Sequence, residues 1–76
     1  MTEVFRLPDG AYDVLVIDAT ADGDALAIEI TILKGEHKGD VDALRAQGLD
    51  IDEIELLGLP GVLHVDEGVP RFVVDG

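Results

Sequence analysis

Hydrophobic residues alternate most regularly just before the middle of the chain. In residues 25–33, large aliphatic side chains occupy every second position, with small or polar residues between them. Because successive side chains of a strand lie on opposite faces, this pattern predicts a half-buried β-strand. At the centre of residues 11–20, consecutive positions are all apolar. This is typical of a strand that is covered on both faces or that bends through a barrel. The Asp22-Gly23 sequence between the two segments predicts an antiparallel hairpin.

A short helix is predicted in the second half of the chain, over residues 50–57. Asp50 can act as its N-cap, and Glu53 three residues later completes a pair that resembles a capping box. Gly58 follows as a stop signal. The apolar side chains expected to lie near one face of this helix are Ile51, Ile54 and Leu57.

Three further segments, residues 40–47, 61–65 and 70–74, are interpreted as strands. The first is ambiguous, because its alternating apolar positions favour a strand while the glycine that follows also fits a short capped helix; we prefer the strand. The order strand, strand, strand, helix, strand, strand predicts a mainly β fold, a small five-stranded OB-like Greek-key barrel with one short helix between strands 3 and 4. A β-grasp fold and an SH3-like barrel are the alternatives.

The composition is that of a small globular protein. We expect the 76 residues to form a single domain, residues 1–76. Cysteine is absent, which excludes disulfides and thiolate metal sites and fits a reducing cytoplasm. No apolar run is long enough for a secretion signal or a membrane span, so we expect a cytoplasmic protein without a membrane partner.

Charge changes this picture most. Seventeen acidic residues against five basic ones give a net charge of −12, and the bases are scattered along the chain. Such a field repels nucleic acid and anionic membranes, so a protein partner, and a basic one in particular, is favoured. The carboxylates expected to form an acidic contact surface are Asp13, Asp22, Asp24, Asp40, Asp42, Asp52, Glu53 and Glu55.

One acidic segment also resembles a calcium-binding loop. Asp18, Asp22, Asp24 and Glu29 match the acidic positions of a twelve-residue loop, with Gly23 at its sixth position. An EF-hand needs a helix on each side, whereas both flanks here are rich in β-branched residues. We therefore favour the hairpin and expect no metal site.

No enzymatic activity and no cofactor are expected. Serine and cysteine are absent, and the threonines have no neighbouring histidine that could activate them. The two histidines, His37 and His64, lack the spacing of a metal site.

A nucleic-acid-binding alternative depends on very few residues. Lys34 and Lys38 form the one local basic cluster, just after the second predicted strand and near the usual ligand face of an OB barrel. Arg45 and Tyr12 would complete a site for single strands, which requires exposed rings beside cations.

Residues 10–39 resemble a family of small phage and actinobacterial proteins. The similarity lies in Gly10-Ala11-Tyr12 at the start of a strand, in Ala19 at its end, and in the Gly35-to-Gly39 loop. Some relatives of this type are OB-like and single-strand-binding-like, so the resemblance implies an OB-like fold and a link to replication. It implies structural turn positions at Gly10, Gly35 and Gly39 and no catalytic residues.

The sequence thus supports three functional hypotheses. The first is a non-enzymatic acidic module that recognises a protein. In a sharper version, rows of same-face carboxylates roughly 6.6 Å apart imitate the phosphates of nucleic acid. The second is an OB-type single-strand-binding accessory protein of phage or bacterial replication. The third is a small oligomeric structural or assembly protein that associates through its strand edges.

Overall fold

The computed structural model describes residues 6–47 and 51–75. These residues form five strands and one short helix: β1 (Gly10–Asp22), β2 (Ala25–Ile32), β3 (Val41–Gln47), α1 (Glu53–Leu56), β4 (Pro60–Asp66) and β5 (Val69–Val74). Neighbouring strands are antiparallel and follow the order β3-β2-β1-β4-β5. The two edge strands, β3 and β5, also approach each other. The predicted mainly β, OB-like barrel is confirmed, and residues 40–47 contain a strand rather than a helix.

A bulge at Ile17 bends the long strand β1. The register with β2 passes from the Val16–Ile30 pair to the Asp18–Glu29 pair, so Ile17 is an extra residue. Before the bend β1 pairs with β4, and from its middle onward it pairs with β2. The extra residue explains why consecutive positions are apolar at this point, as expected for a strand that bends through a barrel.

The helix starts later than predicted. α1 begins at Glu53, and the Asp52 side chain accepts a hydrogen bond of 2.8 Å from the Glu55 amide. Asp52 is therefore the N-cap in place of Asp50, which lies outside the described residues. Two aspartates two positions apart have the same capping ability, so the sequence pattern does not distinguish them. Gly58 follows the helix with a φ of 79°, as predicted for a stop signal.

The helical segment buries a side chain that the apolar spacing did not indicate. Leu56 is completely buried, whereas Ile54 is 76% exposed, Leu57 is 48% exposed and Ile51 is half-buried. A helix of a single turn inserts essentially one side chain into the core, and a start at Asp52 directs Leu56 inward. Two large aliphatic side chains of this segment therefore remain on the surface.

The core between the sheet faces is aliphatic, with one buried ring. Its buried members are Leu7, Val14, Val16, Ile28, Ile30, Ile32, Leu44, Leu56, Leu63, Val65 and Phe72. Gly61 lies against that ring on β4. A Cβ added to Gly61 would lie 2.5 Å from the Phe72 ring and 2.6 Å from the carbonyl oxygen of Val73. The close approach of β4 and β5 at this point therefore requires a glycine.

We expect Gly61→Ala to lower the free energy of unfolding by about 1–3 kcal/mol, because the new methyl group displaces Phe72 from a tightly packed core. Denaturant unfolding measures the change. Ala43→Thr is the control, since it adds atoms at an exposed position of β3. Equal stabilities of the two variants would show that this contact does not restrain the core.

Candidate functional site

The shortest of the described ion pairs joins the segment before β1 to β3. The Arg6 guanidinium forms two hydrogen bonds with the Asp42 carboxylate, of 2.8 Å from Nε and 2.6 Å from Nη2. Asp40 lies 3.7 Å from the same guanidinium. The hydrogen bond and the charge of Asp42, with a smaller contribution from Asp40, raise the pKa of Arg6 above its usual value. This bidentate geometry engages both oxygens of Asp42.

Two other cations also contact aspartates. Lys34 Nζ lies 3.4 Å from Asp13 on β1, and Arg45 Nη2 on β3 lies 3.0 Å from Asp22 at the end of β1. These pairs are exposed, so each contributes little to stability. Each pair nevertheless places a carboxylate directly beside the cation.

The residues predicted for nucleic-acid binding do not form one site. Tyr12 and Lys34 line one depression of about 410 Å³ between the start of β1 and the β2–β3 loop. Arg45 lines a different depression of about 260 Å³, between β3 and β5, together with Arg71. Lys38 lies in the β2–β3 loop and lines neither depression. The fold therefore brings Tyr12 and Lys34 together and places Arg45 at a different depression.

The ring that would stack a base is also engaged in the fold. Tyr12 is half-buried and donates its hydroxyl hydrogen bond to the carbonyl oxygen of Pro8. Its ring meets that of His37 edge to face, with the centroids 6.1 Å apart. His37 in turn lies 3.3 Å from Asp40. The other described phenyl ring, that of Phe72, is buried in the core.

Most of the carboxylates predicted to form a contact surface have a structural partner. Four of them bind cations: Asp13, Asp22, Asp40 and Asp42. Asp52 caps α1, and Glu53 accepts a hydrogen bond of 2.7 Å from the Ala21 amide. Asp24 and Glu55 are exposed and form none of the described side-chain contacts. The predicted surface is thus in large part the set of acids that fasten the fold.

A further structural carboxylate, Asp9, was not predicted from the sequence. Asp9 accepts hydrogen bonds from the amides of Glu67, at 3.0 Å, and Gly68, at 3.1 Å, in the turn between β4 and β5. Glu67 has a φ of 51°, which is unfavourable for a residue with a side chain. The Pro8-Asp9-Gly10 sequence indicates a local turn, and no local signal relates Asp9 to a turn so distant in the chain.

The segment that resembles a calcium loop is the β1–β2 hairpin. Asp18 lies opposite Glu29 in the ladder, and Asp22 lies opposite Ala25 at the turn. This arrangement confirms the predicted hairpin and places Glu29 along a strand, away from the turn. Within residues 6–47 and 51–75, no group of three or more His, Asp or Glu side chains is placed to hold a metal ion.

Comparisons of the chain with protein-family models, with curated proteins and with solved structures find no match. The resemblance to small phage and actinobacterial proteins therefore stays a prediction. In the part of the chain that the structure describes, no helix has the length and apolar character needed to cross a bilayer. Function must accordingly be argued from the geometry of the surface itself.

We expect Asp9→Ala to lower the free energy of unfolding by about 1–3 kcal/mol, because two turn amides lose their acceptor and Glu67 loses the contact that holds its backbone. Glu36→Ala, which removes the same charge from an exposed loop position, is the matched control. Denaturant unfolding of both variants measures the difference. A loss no larger than that of the control would show that water replaces the Asp9 carboxylate without cost.

Proposed function

We propose that this chain is a non-enzymatic, cytoplasmic binding module whose acidic surface contacts a basic protein partner. The observation that carries the proposal is the pairing of three of the five Lys and Arg side chains with aspartates of the same chain. Arg6, Lys34 and Arg45 each bind an aspartate of the same chain, so none of them is free to bind a phosphate without breaking that contact. The net charge of −12 then dominates the field that a partner encounters.

The charge for such a contact comes from exposed carboxylates outside the described ion pairs, apart from Asp9 and Asp52, which hold a turn and the helix start. The contributing carboxylates are Asp18, Asp24, Glu29, Glu36, Glu55, Asp66, Glu67 and Asp75. Unlike the aspartates that bind Arg6 or Arg45, these groups can pair with an incoming cation without breaking an existing ion pair. Complementary charge of this kind accelerates association and selects the partner.

Catalysis is not part of the proposal. The two depressions beside Tyr12 and Arg45 are open to solvent. Group-transfer chemistry is favoured by a pocket that excludes water, and neither depression provides one. Both fit a surface that binds rather than one that transforms its ligand.

The sharper version, in which the chain imitates nucleic acid, has support from the net charge alone. That version needs carboxylates at successive same-face positions of a strand. None of β1 to β5, within the bounds described, carries two acidic residues at such positions; on β1, for example, Thr20 separates Asp18 from Asp22. We therefore propose a basic partner without proposing a phosphate-like array.

We expect the full chain to distinguish two labelled probes in fluorescence anisotropy at about 10 mM salt, where charges act over about 30 Å. The first is a peptide of about 18 residues, with Lys and Leu arranged as an amphipathic helix. The second is single-stranded oligo-dT of about 20 nucleotides, long enough to fill an OB-type site. The peptide should bind and be released by added salt, because its lysines face an excess of carboxylates. The oligonucleotide should not bind at up to about 100 μM protein, since phosphates are repelled.

No binding of the peptide at low salt contradicts the proposal, and saturable binding of the oligonucleotide in its place supports the OB-type alternative. A Lys34→Ala/Arg45→Ala double variant serves as the control for that outcome. If the OB-type single-strand alternative is correct, removing these two cations weakens oligonucleotide binding and reduces its salt dependence. If the proposed function is correct, the same variant still binds the basic peptide.

A further inference from the structure

Three exposed aliphatic side chains lie where the middle of β1 meets the helical segment. Ile17 at the bulge is 43% exposed, and Ile54 and Leu57 of the helical segment are 76% and 48% exposed. Ile54 and Leu57 are three positions apart, which places them on one side of the helical turn, opposite to the buried Leu56. Such exposure of large aliphatic groups is unfavourable in an isolated domain and typical of a contact surface.

The helical segment and the bend of β1 are directly joined. The Gly58 amide donates a hydrogen bond of 2.9 Å to the Val16 carbonyl, and the Val16 amide donates one of 3.0 Å to Leu59. Leu57 directly precedes Gly58 in the chain, and Ile17 directly follows Val16. Glu53 at the other end of α1 binds the Ala21 amide. The bulge and the helix therefore form one surface, which we call the hairpin–helix patch and define by Ile17, Ile54 and Leu57.

Acidic residues surround the hairpin–helix patch. They are Asp18 and Glu29 on the strands, Asp22 and Asp24 at the hairpin turn, and Asp52, Glu53 and Glu55 at the helix. Among the described cations, only Arg45 pairs with one of these carboxylates. Asp18 and Glu29 lie directly opposite each other, and two like charges in such a pair destabilise a sheet. A bound cation would remove this repulsion.

We infer that the hairpin–helix patch docks a basic amphipathic segment of a partner protein, an inference that rests on the function proposed above. Apolar side chains of the segment cover Ile17, Ile54 and Leu57, and its lysines or arginines pair with the surrounding carboxylates. Charge selects this occupant. A second copy of the chain would bring its own −12 to a contact that is already acidic.

A second exposed aliphatic pair, on β5, provides the comparison. Val69 is 56% exposed and Val73 is 41% exposed, which is close to the exposure of the patch residues. Arg71 lies between them on the same strand, with His64 opposite it on β4. Asp66 lies opposite Val69, so this surface combines a carboxylate with the Arg71 cation and is less acidic than the hairpin–helix patch. It should therefore attract a basic segment less strongly.

We expect Ile54→Gln/Leu57→Gln to weaken binding of the basic amphipathic peptide about tenfold, because these two side chains supply most of the apolar contact. Val69→Thr/Val73→Thr is the matched control and should change the affinity by less than about twofold, within the usual spread of surface substitutions. Asp18→Asn/Glu29→Gln should weaken binding and reduce its salt dependence, whereas Glu36→Gln/Asp66→Asn should do so less. Circular dichroism confirms that each variant is folded.

The outcomes separate the inference from the proposed function. If the wild-type chain binds the peptide and the Ile54→Gln/Leu57→Gln variant binds it as tightly as the β5 control, the location is wrong while the proposed function stands. If the folded wild-type chain does not bind the peptide at low salt, both are wrong. Light scattering that shows a dimer of the wild-type chain, abolished by Ile54→Gln/Leu57→Gln, would assign the patch to a second copy and overturn the inference.

Discussion

The bend of β1 at Ile17 is the constraint on which the other parts of the structure depend. Before the bend, β1 pairs with β4. Beyond the bend this pairing ends, and the segment around α1 covers the edge of β1 instead. The hydrogen bonds of Val16 to Gly58 and Leu59 satisfy backbone groups that the sheet leaves unpaired. The same bend brings Leu56 over the end of the core and leaves Ile17 on the surface. Closure of the barrel and exposure of the apolar patch thus have one cause.

Carboxylates have two separate roles in this chain. Three aspartates fasten the fold by accepting hydrogen bonds. Asp9 holds the turn between β4 and β5, Asp42 holds the segment before β1 through Arg6, and Asp52 caps the start of α1. Asp18 accepts a hydrogen bond from the neighbouring Ala19 amide, but its position opposite Glu29 costs stability. A domain of this size has little stability to lose. The opposition of Asp18 and Glu29 therefore lowers a stability that is already small.

Local patterns predict what depends on local physics. Alternation identifies β2, the Asp22-Gly23 sequence identifies the hairpin, and Gly58 identifies the end of the helix. The start of the helix was predicted wrongly and the burial of Leu56 was not predicted, since a single turn has too few residues for a periodic signal. The acidic contact surface could not be predicted residue by residue, because a carboxylate that fastens the fold and one that faces a partner look the same in a sequence.

The sequence by itself determined the mainly β class, the element order and the excess of negative charge, because alternation, turn residues and composition act through neighbouring residues or through the sum of all charges. Tertiary structure alone decided which charges are neutralised: Arg6 and Asp42 are 36 residues apart, and Asp9 and Glu67 are 58 apart. It also decided that Leu56 is buried and Ile54 is not. These ion pairs, hydrogen bonds and burial differences depend on contacts between residues that are distant in the chain. A local stretch of sequence specifies neither the partner of a side chain nor how deeply it is buried.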